Sequence, residues 1–374
     1  MTAKPVYRIT VWLGKRICRM DFRNLIPTLA LLALGGLGGF LASLTVMPLP
    51  WMLGALLATA SFTIARPEAL PHTYKFPMFL RMLFIAVIGV MIGAQVTPEL
   101  VARAPLMVMS LIGLSVFVPL GFAANLWIFR RLGGYDSVTA FFCSAPGGLM
   151  ESITMGEAHG CNIKLLTVQQ FLRVIVVIML VPMLMSVWIG APLGSAAGVQ
   201  ITSGVQADIT PEQVLIGAGV VLIGLVFGLK LKIPAGQLMG PLLIAAAVNL
   251  SGLATLQLPE VLIITAQLVI GTALGSRFAG LKRDMLVRGI ALSFASVTAM
   301  LLIALAICLI LRTFQPLPFD VLLISFAPGG LTEMSLIALS LNANPALVSL
   351  HHMYRIILTV FALHALQRHL PSKG

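Results

Sequence analysis

Two residue pairs in this chain have the types and spacing for charge chemistry in a dry setting. Glu151 is followed 22 positions later by Arg173, and Glu333 is followed 22 positions later by Arg355. Each acid lies just past a helix-breaking box. "CSAPGGLMESITMG" occupies 143–156 and "SFAPGGLTEMSLIA" occupies 325–338. Pro146, Gly147 and Gly148 in the first box, and Pro328, Gly329 and Gly330 in the second, interrupt apolar sequence. Guanidiniums beside exposed backbone N–H groups favour an anionic guest, whereas carboxylates and bare carbonyls can hold Na⁺ or H⁺. One turn before each arginine the copies differ: "VQQFLR" has Gln169 and Gln170, and "LHHMYR" has His351 and His352. Such a histidine pair suits proton coupling. Hydrogen-bonded histidines with no titrating role are the alternative.

The elements that position these residues must sit in a membrane. The chain has 374 residues, 59% of them hydrophobic and 10% charged, with a mean hydropathy of +1.03. That charge is too little to cover a soluble protein of this size. Apolar runs long enough to cross ~30 Å of hydrocarbon recur throughout. Residues 1–24 carry Lys4, Arg8, Lys15, Arg16, Arg19 and Arg23 without a cleavage site, which reads as a retained basic cytoplasmic tail. The formal charge of +12 sits in short segments between apolar runs, as cytoplasmic loops do, and does not indicate nucleic acid. Cys18, Cys143, Cys161 and Cys308 lack metal or disulfide spacing and read as structural thiols.

Each half holds six apolar segments. Residues 25–190 form membrane repeat 1, 191–210 a polar linker, and 211–368 membrane repeat 2. "MPLPWMLGALL" (47–57) matches "IPAGQLMGPLL" (233–243), and "VIGVMIGA" (87–94) matches "VIGTALGS" (269–276). Pro146–Arg173 matches Pro328–Arg355 without a gap. Duplication on this scale points to a transporter-like architecture. If all twelve segments cross, 14 Lys/Arg fall inside and 8 outside, leaving Arg173 and Arg355 aside. If each APGG segment enters and returns on its own side, the split is 20 inside against 2 outside, Arg103 and Arg312. The positive-inside rule selects the second arrangement, with an inside N-terminus. The expected fold is therefore an all-α polytopic membrane protein of two inverted repeats. Each has about five transmembrane helices plus one re-entrant or broken APGG segment, 10–12 membrane segments in all. A broken helix that crosses fully is the alternative for each APGG segment.

Helical rise puts Arg173 and Arg355 near the membrane midplane, where an arginine needs a partner or a polar cavity. Glu151 and Glu333, at matching depth, are the expected partners. Buried ion pairs locking hairpin to helix are the architectural reading; a central anion site at two converging tips is the functional one. Asn125, Asn249, Gln95 and Gln267 read as interhelical hydrogen-bond partners. "LGGLGGF" (34–40) reads as close helix packing, not as a dinucleotide loop.

The two APGGLxE boxes in a duplicated, highly apolar chain resemble the AbrB-type bacterial membrane protein family, over nearly the whole chain beyond the basic tail. That resemblance implies the family's labels, ammonia monooxygenase or regulator. The residues favour neither: six scattered histidines form no metal-ligand set, and no loop is long enough for a soluble DNA-reading head. At fold level the chain is also similar to cation/proton antiporters, bile-acid symporters and citrate-type carriers, which says nothing of substrate. The expectation is a multi-pass protein of the bacterial inner membrane, a secondary transporter and not an enzyme, moving a small organic anion. It needs no cofactor beyond Na⁺ or H⁺ as coupling ion. Its partners are the lipid bilayer and a small-molecule or ion substrate, with no nucleic acid; a homodimer is compatible. A ligand-sensing membrane regulator without transport is the first alternative, a membrane monooxygenase the second.

Overall fold

The computed structural model describes residues 22–367 apart from positions 46, 48, 72–73, 103, 191–210, 232, 234, 255, 257, 280–282, 316 and 342. Most of the basic tail, the 191–210 linker, Cys18 and Arg103 lie outside the described residues. Among the described residues every regular element is helical. The first half contains α1 (Phe22–Ser43), α2 (Pro50–Ala65), α3 (Met78–Gly93), α4 (Val108–Trp127), α5 (Ser137–Cys143), α6 (Leu149–Ala158) and α7 (Ile163–Ile189). The second contains α8 (Pro211–Lys230), α9 (Gly236–Leu250), α10 (Glu260–Gly275), α11 (Arg283–Leu311), α12 (Phe319–Phe326), α13 (Leu331–Ser340) and α14 (Pro345–Leu366). The protein is an all-α polytopic membrane protein: seven of its helices are long and apolar enough to span a membrane, and α2, α3 and α9 are shorter apolar helices. The two APGG segments are the broken ones, α5–α6 and α12–α13.

Membrane burial explains the surface. Leu37, Val116, Leu222, Ile223, Phe294 and Leu302 are exposed in mid-helix, where lipid can cover them. Trp127 and Trp188 are exposed at the ends of α4 and α7, as interfacial aromatics are.

The sequence duplication becomes a pairing of contacts. Helix α1 packs on α2 as α8 packs on α9; α2 meets α10 as α9 meets α3; α4 meets α14 as α11 meets α7. Backbone strain repeats too. Leu49 and Ala235, matched positions ahead of α2 and α9, both hold left-handed φ (48° and 51°). Small residues set the spacing. A Cβ on Gly54 would strike the Gly38 carbonyl and lie 2.7 Å from Ala42 Cβ; one on Gly240 would strike the matched Gly224 carbonyl. Gly35, Gly38 and Gly39 of "LGGLGGF" thus serve helix packing: a Cβ on Gly35 would meet Thr272 and Leu268 of α10, and one on Gly39 would meet Trp51.

The first broken segment folds back on itself. The Asn162 backbone N–H, just past α6, donates to Thr139 Oγ1 near the start of α5 at 2.9 Å. The ring centroids of Phe142 and His159 lie 5.5 Å apart across the two arms. Residues near the two ends of this segment are therefore neighbours.

If close backbone approach sets the α1–α2 spacing, Gly54→Leu should cost about 1–3 kcal/mol by overpacking. Gly36→Leu, at a position with open space around it, should cost almost nothing. Melting of the detergent-purified variants checks this; equal melting temperatures would reject the packing argument.

Candidate functional site

Each tip is built from a helix that stops and a helix that starts. Helix α5 begins at Asp136, whose carboxylate accepts from the backbone N–H of Val138 (3.1 Å) and Thr139 (2.9 Å). Partial burial would raise this carboxyl, but those bonds and the Thr139 hydroxyl outweigh it and hold Asp136 below its ordinary range. Pro146 then denies α5 a continuing N–H. Gly148 takes φ +63°, which glycine adopts without a side-chain penalty, and α6 starts at once. In the second copy Gly330 is extended (φ −74°) ahead of α13. The two tips therefore share sequence but not backbone geometry.

Arg173 lies ten residues into α7 and Arg355 ten into α14, ~15 Å along each helix. Their relative exposures are 3% and 1%, so both guanidiniums are out of water. Their partners are carbonyls. Arg173 Nη1 donates to Ala145 O, and Arg355 Nη1 donates to the matched Ala327 O. Arg355 Nη2 also donates to Gly329 O at 2.6 Å. These carbonyls lie just past the C-terminal ends of α5 and α12, where helical partners run out and the dipole is negative.

The glutamates do something else. Glu151 and Glu333 lie in the first turns of α6 and α13, at the positive ends of those dipoles. The Glu333 carboxylate turns back towards Gly330 and its own backbone N–H, and the cation whose charge it feels is Arg81 of α3. Among the described residues neither arginine pairs with either glutamate; the expected Glu–Arg ion pairs are replaced by bonds to tip carbonyls. Sequence reasoning missed Ala145 and Ala327 because a carbonyl partner carries no residue signature.

The two halves converge here. Helix α6 packs on α14 and α13 packs on α7, each against the other repeat. A Cβ on Gly147 would lie 3.3 Å from Thr359 Oγ1 and 3.7 Å from Arg355 Nε. Arg355 feels the charge of Arg173. Both Nε atoms are buried and have no hydrogen-bond partner.

The residues preceding the arginines divide the labour. Gln169 Nε2 donates to Ser293 Oγ of α11 at 2.6 Å. His351, at the matched position, lies with Nε2 2.7 Å from Ser110 Oγ of α4. Its Nδ1 donates to the Leu347 carbonyl at 2.8 Å, so both ring nitrogens are engaged. Gln170 Nε2 donates to Phe142 O at 2.9 Å, on the first arm of its own hairpin. His352 has Nδ1 on the Val348 carbonyl (2.9 Å) and a buried Nε2 with no hydrogen-bond partner, close to Arg355. Asn125 joins tip and scaffold as expected: Nδ2 donates to Ser144 O (3.2 Å) and Oδ1 accepts from Ser296 Oγ (2.7 Å). Asn249 Nδ2 donates to Val96 O at 3.0 Å, whereas Gln267 Oε1 is buried without a partner. Cys143, Cys161 and Cys308 are buried, and among the described residues no three His, Cys, Asp or Glu side chains cluster as metal ligands would.

Fold and site define a class: duplicated polytopic membrane proteins in which two broken helices meet at a pair of buried arginines. The family model described as "Transition state regulatory protein AbrB" matches residues 51–370, and the chain belongs to that family. It is similar to "Uncharacterized protein YhjN" of Bacillus subtilis (strain 168), 26% identical over 367 residues, covering 91% of this chain and 92% of that protein. It is also similar to "Putative regulator AbrB" of Escherichia coli (strain K12), 25% identical over 316 residues, covering 83% of this chain and 86% of that protein.

Because Arg355 serves carbonyls and Glu333 serves a helix N-terminus, their removals should act independently. Arg355→Gln should destabilise by about 1–3 kcal/mol or more, the cost of stranded polar groups. Adding Glu333→Gln should change stability by its own single-variant effect, within about 0.5 kcal/mol. Denaturation of single and double variants checks this. A double variant more stable than Arg355→Gln by a wide margin would reinstate the ion pair.

Proposed function

We propose that this protein is a secondary transporter of a small organic anion, with the two APGG tips and Arg173 and Arg355 forming its central site. The observation that carries the reading is the pair of guanidiniums: nearly fully buried, within range of each other's charge, and each with an Nε–H lacking an acceptor. Two like charges in a low-dielectric interior are costly. The half-helix carbonyl ends offset part of that cost, and an anion held between the arginines would offset the rest. Pro146, Gly147, Gly148, Pro328, Gly329 and Gly330 would let backbone approach the guest, and the N-terminal turns of α6 and α13 carry N–H groups beside the two breaks.

Several features agree with re-entrant hairpins in inverted repeats. Residues near the two ends of the first broken segment touch, and the 20-to-2 charge split favours that geometry. In that arrangement the N-terminus would be cytoplasmic and the protein would sit in a bacterial inner membrane. Broken helices meeting at midplane suit alternating access. Coupling would use H⁺ or Na⁺. His352 has an Nε2 without a hydrogen-bond partner, whereas His351 is engaged at both nitrogens. Glu151 and Glu333 with the tip carbonyls are the alternative ion ligands. The regulator reading rests on the relatives' names, and a membrane sensor would bind the same anion without moving it.

Uptake of a panel of carboxylates into proteoliposomes tests the reading. Saturable uptake is expected, driven by an imposed proton or sodium gradient and reduced at least about tenfold in Arg355→Lys, which cannot make the two-pronged carbonyl contact. Gly148→Val should abolish uptake while leaving membrane insertion intact, because a β-branched residue resists φ +63°. Tight binding of an anion with no uptake under any gradient would favour the sensor.

A further inference from the structure

A second feature lies outside the tips. A cavity of about 480 Å³ opens between the first turns of α7 and the end of α10. Its walls include Lys164, Thr167, Phe171 and Leu172 from α7, with Arg277 and Phe278 just past α10. The volume is within the range of small-molecule sites. Its chemistry is one-sided: two cations, one hydroxyl, an apolar floor, and no acid among the lining residues. Arg277 is held over the Phe171 ring, its guanidinium carbon 4.9 Å from the centroid. That contact orients the fork without consuming its N–H donors.

The cavity also occupies a particular place. Helix α7 packs against α11, α5, α6 and α13, whereas α10 packs against α2, α3 and α1. The cavity is thus a gap between two helix groups. Its lining residue Leu172 immediately precedes Arg173. Beyond Arg277 comes Arg81 of α3, whose charge acts on both Arg277 and Glu333. Arg81 Nε is buried without a hydrogen-bond partner.

We propose that this cavity is a binding site for a carboxylate with an apolar or aromatic body, the anionic end on Arg277 and Lys164 and the body against Phe171, Leu172 and Phe278. A purely hydrophilic dianion would leave the floor unfilled, and a neutral amide would leave the cations unmatched. This rests on the transporter proposal only in making the cavity a mouth for the central site; binding here stands by itself.

The same chemistry describes a lipid headgroup with its acyl chain, so the test separates the two sources. Titration calorimetry on the full chain, purified in a neutral detergent, would use 4-phenylbutyrate, its neutral amide and succinate, each with and without added phosphatidylglycerol. The expected order is 4-phenylbutyrate well ahead of both others. Arg277→Gln should weaken it about tenfold or more, with Arg277→Lys recovering part. Phe171→Leu, which keeps an apolar floor but releases the guanidinium, should weaken it several-fold. These positions are near the surface of the helix bundle, and a melting curve for each variant confirms folding. Equal affinity for the amide, or indifference to Arg277→Gln, would overturn the site. Displacement by stoichiometric phosphatidylglycerol would overturn the small-molecule assignment in favour of lipid. Carboxylate binding at the cavity without uptake would count against transport and leave the site standing.

Discussion

The site depends on one constraint: a guanidinium buried in an apolar interior must be satisfied by something that is already there. Water is excluded and a free carboxylate would itself need desolvating. The chain solves this with broken helices. Interrupting a helix leaves carbonyls without partners at one side of the break and N–H groups without partners at the other. Arg173 and Arg355 take the carbonyl side, and Glu151 and Glu333 sit on the N–H side. Each charge is thus matched to a half-helix dipole rather than to the opposite charge. The Pro-Gly-Gly break and the arginine require each other: an unbroken helix would offer no carbonyl, and an arginine without it would be stranded.

That arrangement sets the demands on the surrounding scaffold. The carbonyls are useful only if α7 and α14 hold their arginines at the height of the tips. Gln169 and His351 secure those helices to α11 and α4 of the opposite repeat, and Asn125 ties the first tip's Ser144 to α4 and α11. The remaining helices, α1–α3 and α8–α10, approach through glycine faces and form a separate packing unit around the Gly54 and Gly240 contacts. Large residues are therefore excluded from those faces, and the exposed Leu, Val and Phe side chains turn towards lipid.

Much of this was legible in sequence. Apolar length indicated the helical class, and the duplicated boxes located both breaks. Asn125 and Asn249 were readable as polar residues with nowhere to go but a neighbouring helix. The arginine partners were not readable, and the reason is specific. In a gapless duplicated block every pair of positions keeps its interval, so the constant 22-residue Glu–Arg spacing carried no information about contact. Ala145–Arg173 and Ala327–Arg355 recur just as faithfully at 28. Opposite charge suggested the wrong pair because carbonyl groups occur at every residue and mark none. The basic cavity was hidden for another reason: Lys164 and Arg277 are far apart in sequence and looked like ordinary loop charges.

Where the copies diverge is more informative than where they agree. At the arginines the repeats are equivalent, but one turn earlier Gln170 donates to its hairpin carbonyl and His352 leaves Nε2 unbonded. Gly148 is left-handed and its counterpart Gly330 is extended. Glu333 is buried and within reach of Arg81 on α3, whereas Glu151 is only partly buried. A symmetric site would treat its two sides alike. The second repeat thus differs from the first in an unbonded ring nitrogen on α14, an extended glycine at the break and a buried acid. The twofold scaffold repeats the arginine–carbonyl contact, and the second repeat departs from the first one turn before the arginine and at the break itself.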